Sequence, residues 1–109
     1  MIGIIDYGLG NVQSFIDSFR ILDVPAISVK NKIDLQKIDR VILPGVGAFP
    51  AAMNRLHAAG LVDYLHRYAQ NCRPLIGICL GMQLLAESSS ELGLTMGLGL
   101  IPGTVEAIV

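Results

Sequence analysis

Tryptophan is absent from this chain, and cysteine occurs only twice, as Cys72 and Cys79. Two thiols at that spacing make neither a disulfide scaffold nor a zinc site. Charge is scarce: 16% of the 109 residues are charged, and the formal net charge is −1. With no basic block or stripe, nucleic acid and anionic membrane are not expected partners. Long apolar runs are missing as well, and none approaches the roughly 20 residues of a membrane span. The opening MIGIIDYG has no basic segment before its apolar residues and carries an acid at position 6, unlike a signal peptide. Repeats, low-complexity segments and linkers are not found. These absences lead to the expectation of a soluble protein in a reducing, cytoplasmic setting.

What remains is apolar. Hydrophobic residues make up 52% of the chain, too many for disorder. The length allows one domain with a modest core. Four short apolar runs alternate with helical patterns. Ile2 to Ile5, Ala26 to Val29, Val41 to Leu43 and Leu75 to Ile78 are predicted strands. Between the first two, Val12, Phe15, Phe19 and Leu22 recur at helical spacing, so 11–22 is a predicted helix. Lys30 to Arg40 is polar, with Ile33, Leu35 and Ile38 as core contacts. Met53 to Tyr68 carries a helical period with a break at Gly60. A further helix is predicted from Gly81 to Glu87. Strands that are apolar throughout need cover on both faces. Strand–helix–strand repeats with right-handed crossovers give an α/β fold, an open, doubly wound, flavodoxin-like parallel sheet in the order two, one, three, four.

Glycines 93, 97, 99 and 103 interrupt the tail, and Val105 to Val109 read as the start of another strand. A chain that ends in mid-strand suggests the N-terminal part of a longer domain. The alternative is a complete small domain closed by an edge strand.

Ligand sites in such sheets lie at the carboxyl ends of the strands. Three of these ends carry glycines. Gly77-Ile78-Cys79-Leu80-Gly81 fits the cysteine form of the nucleophile elbow. The thiol would sit on a strained strand-to-helix turn, and glycines two positions either side would let the turn close. The following helix start favours negative charge, and the Leu80 N–H can face a developing oxyanion. The plainer reading is a buried structural cysteine. Pro44-Gly45-Val46-Gly47 leaves the neighbouring strand at the same edge and is either an oxyanion strand or a simple glycine turn. Gly8-Leu9-Gly10 falls short of a dinucleotide fingerprint: position 13 is Gln, and no acid ends the second strand. Asn11 there is a candidate helix cap.

A thiol hydrolase also needs a general base. His57 lies near an apolar helical stripe, and His66 lies off it and should be solvated. Both are on helices upstream of the fourth strand rather than on a loop at the carboxyl edge. Glu87 and Glu91 are expected to point away from Cys79. Cys72 precedes Arg73-Pro74 at a helix end and reads as an ordinary thiol. The chain thus carries a nucleophile and oxyanion donors, but no evident base.

The order IIDYGLGN at 4–11, ILPGVGAF at 42–49, GICLGMQLL at 77–85 and GLGLIPG at 97–103 resembles the class I glutamine amidotransferases along essentially the whole chain. GICLGMQ carries the class, while DYGLGN with LPGVGAF is similar to its histidine-pathway branch. The resemblance implies that Cys79 attacks the side-chain amide of glutamine, releasing ammonia through a glutamyl thioester. Leu80 and the Val46-Gly47 peptide would supply oxyanion N–H groups, and Gln83 would hold the amino-acid part of glutamine. No cofactor or metal is implied. The implied partner is a (β/α)8-barrel cyclase subunit that takes the ammonia. Members are roughly twice as long, with their catalytic histidine and glutamate in the second half. Residues 1–109 would then be the N-terminal part of a single amidotransferase domain, inactive alone. The alternatives are a non-catalytic module that binds a cyclase-like partner, another cysteine hydrolase, or a paralogue feeding a different acceptor.

Overall fold

The computed structural model describes residues 1–32 and 37–108. Strands β1 (Ile2–Ile5), β2 (Ala26–Val29), β3 (Arg40–Leu43) and β4 (Leu75–Gly77) form one sheet in the order β2-β1-β3-β4. All three pairings are parallel, with Ile4 opposite Ser28 and Ile42, and Leu43 opposite Gly77. The expected architecture and strand order are both present.

Helix α1 (Val12–Ile21) connects β1 to β2, and its N-cap Asn11 accepts from the Ser14 N–H at 3.1 Å. The proposed cap is therefore real, and it stabilises the first helical turn by about 1 kcal/mol. Between β3 and β4 the chain forms α2 (Phe49–Ala58) and α3 (Val62–Gln70). The break falls at Gly60, whose φ of 70° lies in the left-handed region that terminates helices. Right-handed crossovers send α1 to one face of the sheet and α2 with α3 to the other. The second pair covers the main core: Phe49, Met53, Leu56, Leu61, Leu65 and Leu84 pack with Ile5 and Leu43. Of the residues expected to anchor 30–40, Ile38 is buried; Ile33 and Leu35 lie outside the described residues.

The C-terminal third differs from expectation. Helix α4 (Leu80–Leu84) has five residues and stops before Glu87. The chain then enters β5 (Ala86–Ser89), followed by β6 (Thr95–Met96) and β7 (Ile101–Val105). These make a second sheet, β6-β5-β7, antiparallel on one side and parallel on the other. The last strand therefore ends at Val105 rather than beginning there. The cause is visible in the backbone. Leu98 and Leu100 N–H donate to the Leu84 and Leu85 carbonyls at 2.8 Å each, and Gly99 N–H donates to Ala86 at 2.9 Å. Carbonyls at the end of α4 are satisfied by this crossing segment instead of by another helical turn. At Gly97 a Cβ would lie 2.3 Å from the Ala86 oxygen, so only glycine permits the approach.

Candidate active site

Cys79 stands between β4 and α4 with φ 54° and ψ −121°. A side-chain-bearing residue there costs about 1–3 kcal/mol, a strain that marks functional turns. The flanking glycines are explained by contact. A Cβ on Gly77 would lie 2.7 Å from the Gly81 oxygen and the Met82 Cα. A Cβ on Gly81 would lie 1.8 Å from the Leu43 oxygen. The turn closes only without those side chains, and closing it leaves Cys79 exposed. The structural alternative of a buried cysteine does not match that exposure.

The end of β3 forms the neighbouring wall. Ile78 N–H donates to the Leu43 carbonyl at 2.9 Å, and Leu80 N–H donates to the Gly45 carbonyl at 3.3 Å. The elbow and the Pro44–Gly47 turn are therefore hydrogen-bonded neighbours, as the strand order requires. In this state the Leu80 N–H is occupied by Gly45. Beyond Gly45 the turn is open: Val46 is 59% exposed, and Gly47, at φ 98°, has nothing within 4 Å of a Cβ position. Gln83 is half-buried on α4, and its N–H donates to the Cys79 carbonyl at 3.4 Å.

Tyr7 was not singled out by the sequence. It follows β1, is buried, and donates its hydroxyl to the Pro44 carbonyl at 2.7 Å. Burial pushes its phenol up to about 12. The available signal was a tyrosine two residues past an apolar strand, since a buried hydroxyl needs a partner. Beside it, the Arg55 guanidinium lies against Gly8, where a Cβ would be 2.3 Å from its Nη1.

Neither histidine lies on the elbow or on the Pro44–Gly47 turn. His57 is exposed near the C-terminal end of α2. Eight residues of helix carry it about 12 Å from the Pro44–Gly47 edge. His66 is half-buried rather than solvated, because its Nε2 hydrogen-bonds to the Leu98 carbonyl. That bond engages it on the tail segment. Glu87 is exposed on β5, and Glu91 lies in the turn after it, not on an extended helix. Cys72 has φ 58° just past α3 and is exposed, the helix-end thiol expected. Among the described residues no group of acids, cysteines and histidines could hold a metal ion, and no helix is long and apolar enough to cross a membrane.

Comparisons with known proteins give this chain a family. The family described as "Glutamine amidotransferase class-I" matches residues 3–106. The chain belongs to the class I glutamine amidotransferases. Among the relatives of this amidotransferase chain is the imidazole glycerol phosphate synthase subunit HisH of Synechococcus sp. (strain CC9605). It is 52% identical over 104 residues, which are 95% of this chain and 48% of that protein. The chloroplastic imidazole glycerol phosphate synthase hisHF of Arabidopsis thaliana is 46% identical over 105 residues, covering 96% of this chain and 18% of that protein. A glutamine amidotransferase crystal structure superposes with a TM-score of 0.81 at 22% identity, over 96% of this chain and 55% of the other. That likeness establishes the fold. The chain spans about half the length of the HisH relatives it matches.

Proposed function

We propose that Cys79 is the nucleophile of a glutaminase and that these residues form one wall of its site. The observation that carries the reading is the exposed thiol at φ 54° on a turn that only Gly77 and Gly81 allow. The Cys79 Sγ, as thiolate, attacks the side-chain amide carbon of glutamine. The tetrahedral oxyanion takes N–H groups from Leu80 and the Val46-Gly47 peptide, once Gly45 has released Leu80. Collapse forms a glutamyl thioester and expels ammonia, which leaves with a proton from a general acid. Water then cleaves the thioester to glutamate. Gln83, one turn after the nucleophile, holds the amino-acid end of glutamine.

The base comes from outside these residues, since His57 and His66 are placed elsewhere. The relatives' names support a subunit of imidazole glycerol phosphate synthase, acting in histidine biosynthesis; a cytoplasmic location is part of this proposal and does not rest on those names. Ammonia would then pass to a (β/α)8-barrel cyclase subunit, whose ring closure makes the whole enzyme a lyase as well as a hydrolase. Residues 1–109 form the N-terminal part of one amidotransferase domain in this reading.

Ammonia release from glutamine tests it. Turnover is expected in a protein that joins this chain to a downstream histidine and glutamate, and Cys79→Ala should abolish it. Retained turnover in Cys79→Ala would contradict the nucleophile. Turnover by the 109 residues alone would contradict the missing base.

A further inference from the structure

The Pro44–Gly47 turn has one fixed end and one free end, and a single buried side chain makes the difference. We propose that Tyr7 is a positioning residue for the thiol site: it holds Pro44 as the fulcrum on which Gly45 to Gly47 change their hydrogen bonding. The proposal rests on the glutaminase reading of Cys79.

Four observations carry it. The Tyr7 hydroxyl donates to the Pro44 carbonyl at 2.7 Å from a side chain that is 6% exposed. A Cβ on Gly45 would lie 2.4 Å from that hydroxyl oxygen, so Tyr7 also packs against the next residue. The following link is weak: Gly45 accepts from Leu80 at 3.3 Å, at the long end for an N–H···O bond. Past it, Val46 is exposed and Gly47 meets open space. The backbone is therefore pinned through Pro44 and loosely held from Gly45 onward.

This arrangement answers a geometric need. Leu80 can serve an oxyanion only after Gly45 lets go, and that rearrangement must not shift Leu43, whose carbonyl holds the elbow through Ile78. A buried hydroxyl on the intervening carbonyl separates the two motions. Without it, the Pro44 carbonyl loses its side-chain partner and the displacement spreads into β3.

Two readouts on Tyr7→Phe, which keeps the ring and removes only the hydroxyl, test the proposal. In amide hydrogen exchange of the 109-residue chain, Leu80 and Ile78, whose N–H groups bond to Gly45 and Leu43, should exchange about tenfold faster, while Ile4 and Ile5 stay unchanged. The second readout compares two alkylating reagents at Cys79. A glutamine-mimicking chloroketone carries an electrophilic ketone, to which the thiol can add so that the oxygen takes the oxyanion donors; the amide carbonyl of iodoacetamide is not attacked, and its iodide is displaced directly. Each forms a thioether, expelling chloride or iodide. Tyr7→Phe should lower the chloroketone rate about fivefold and leave the iodoacetamide rate unchanged. Unchanged exchange at Leu80 and Ile78, a uniform rise across both sheets, loss of the fold, or equal slowing with both reagents would overturn the role of Tyr7. Failure of the chloroketone to prefer Cys79 over Cys72 in the unaltered chain would overturn the glutaminase reading, and this proposal with it.

Discussion

At the scale of single residues, the site is a set of close approaches. Gly81 is the tightest, since the position of its missing Cβ lies 1.8 Å from the Leu43 oxygen. Gly81→Ala should cost about 3 kcal/mol or more by forcing the elbow away from β3, read as a lower urea midpoint. Tyr7 makes a pH prediction. Its phenol is raised by burial from 10.0 to about 12. The neutral form is thus favoured in the fold, and its stabilisation is complete below pH 10. It is lost as pH rises through the folded value of about 12. Urea midpoints should fall over that window, and Tyr7→Phe should flatten the fall. The thiol and its glycines were legible in the sequence because their spacing follows from the turn itself. Tyr7 was not, because its partner is a carbonyl 37 positions away.

At the scale of elements, the four parallel strands and their order were legible. Each is a short apolar run bounded by glycine, proline or a polar turn, and the crossover rule then fixes the topology. Helix α4 was overextended because Leu84 and Leu85 continue an apolar pattern in which helix and strand look alike. The deciding interaction is long-range: Leu98 and Leu100 take the carbonyls another helical turn would have used. Thr95–Met96 is too short to show a period of its own. His66 belongs to the same story, tying α3 to the tail through the Leu98 carbonyl. His66→Ala should cost about 1 kcal/mol. Faster amide exchange is expected around Leu98 and β7, with β1 and β3 unaffected. Equal acceleration in both sheets would show that His66 does not act as a local tie.

Across the whole molecule, the sheet is covered unevenly. β4 pairs only with β3 among the described residues, and Ile76 on it is 54% exposed. An open edge with an apolar side chain is a site for self-association. Sedimentation of the 109-residue chain should show concentration-dependent dimers or larger species. Ile76→Lys should shift it toward monomer without changing the circular dichroism spectrum. That edge belongs to a chain that spans about half the length of its HisH relatives. The elbow and the Pro44–Gly47 turn are linked by the Leu80–Gly45 bond, and Tyr7 bonds to the turn through the Pro44 carbonyl.

The most direct measurement is the position of a covalent adduct. The chain is incubated with a glutamine-mimicking chloroketone, with and without excess glutamine, and the labelled peptide is mapped by mass spectrometry. Cys79 and Cys72 are both exposed, so access alone does not choose between them. The account predicts one adduct, on Cys79, suppressed by glutamine. Equal labelling of both thiols, or a Cys79 adduct that glutamine does not suppress, would contradict a glutamine-binding nucleophile at this turn.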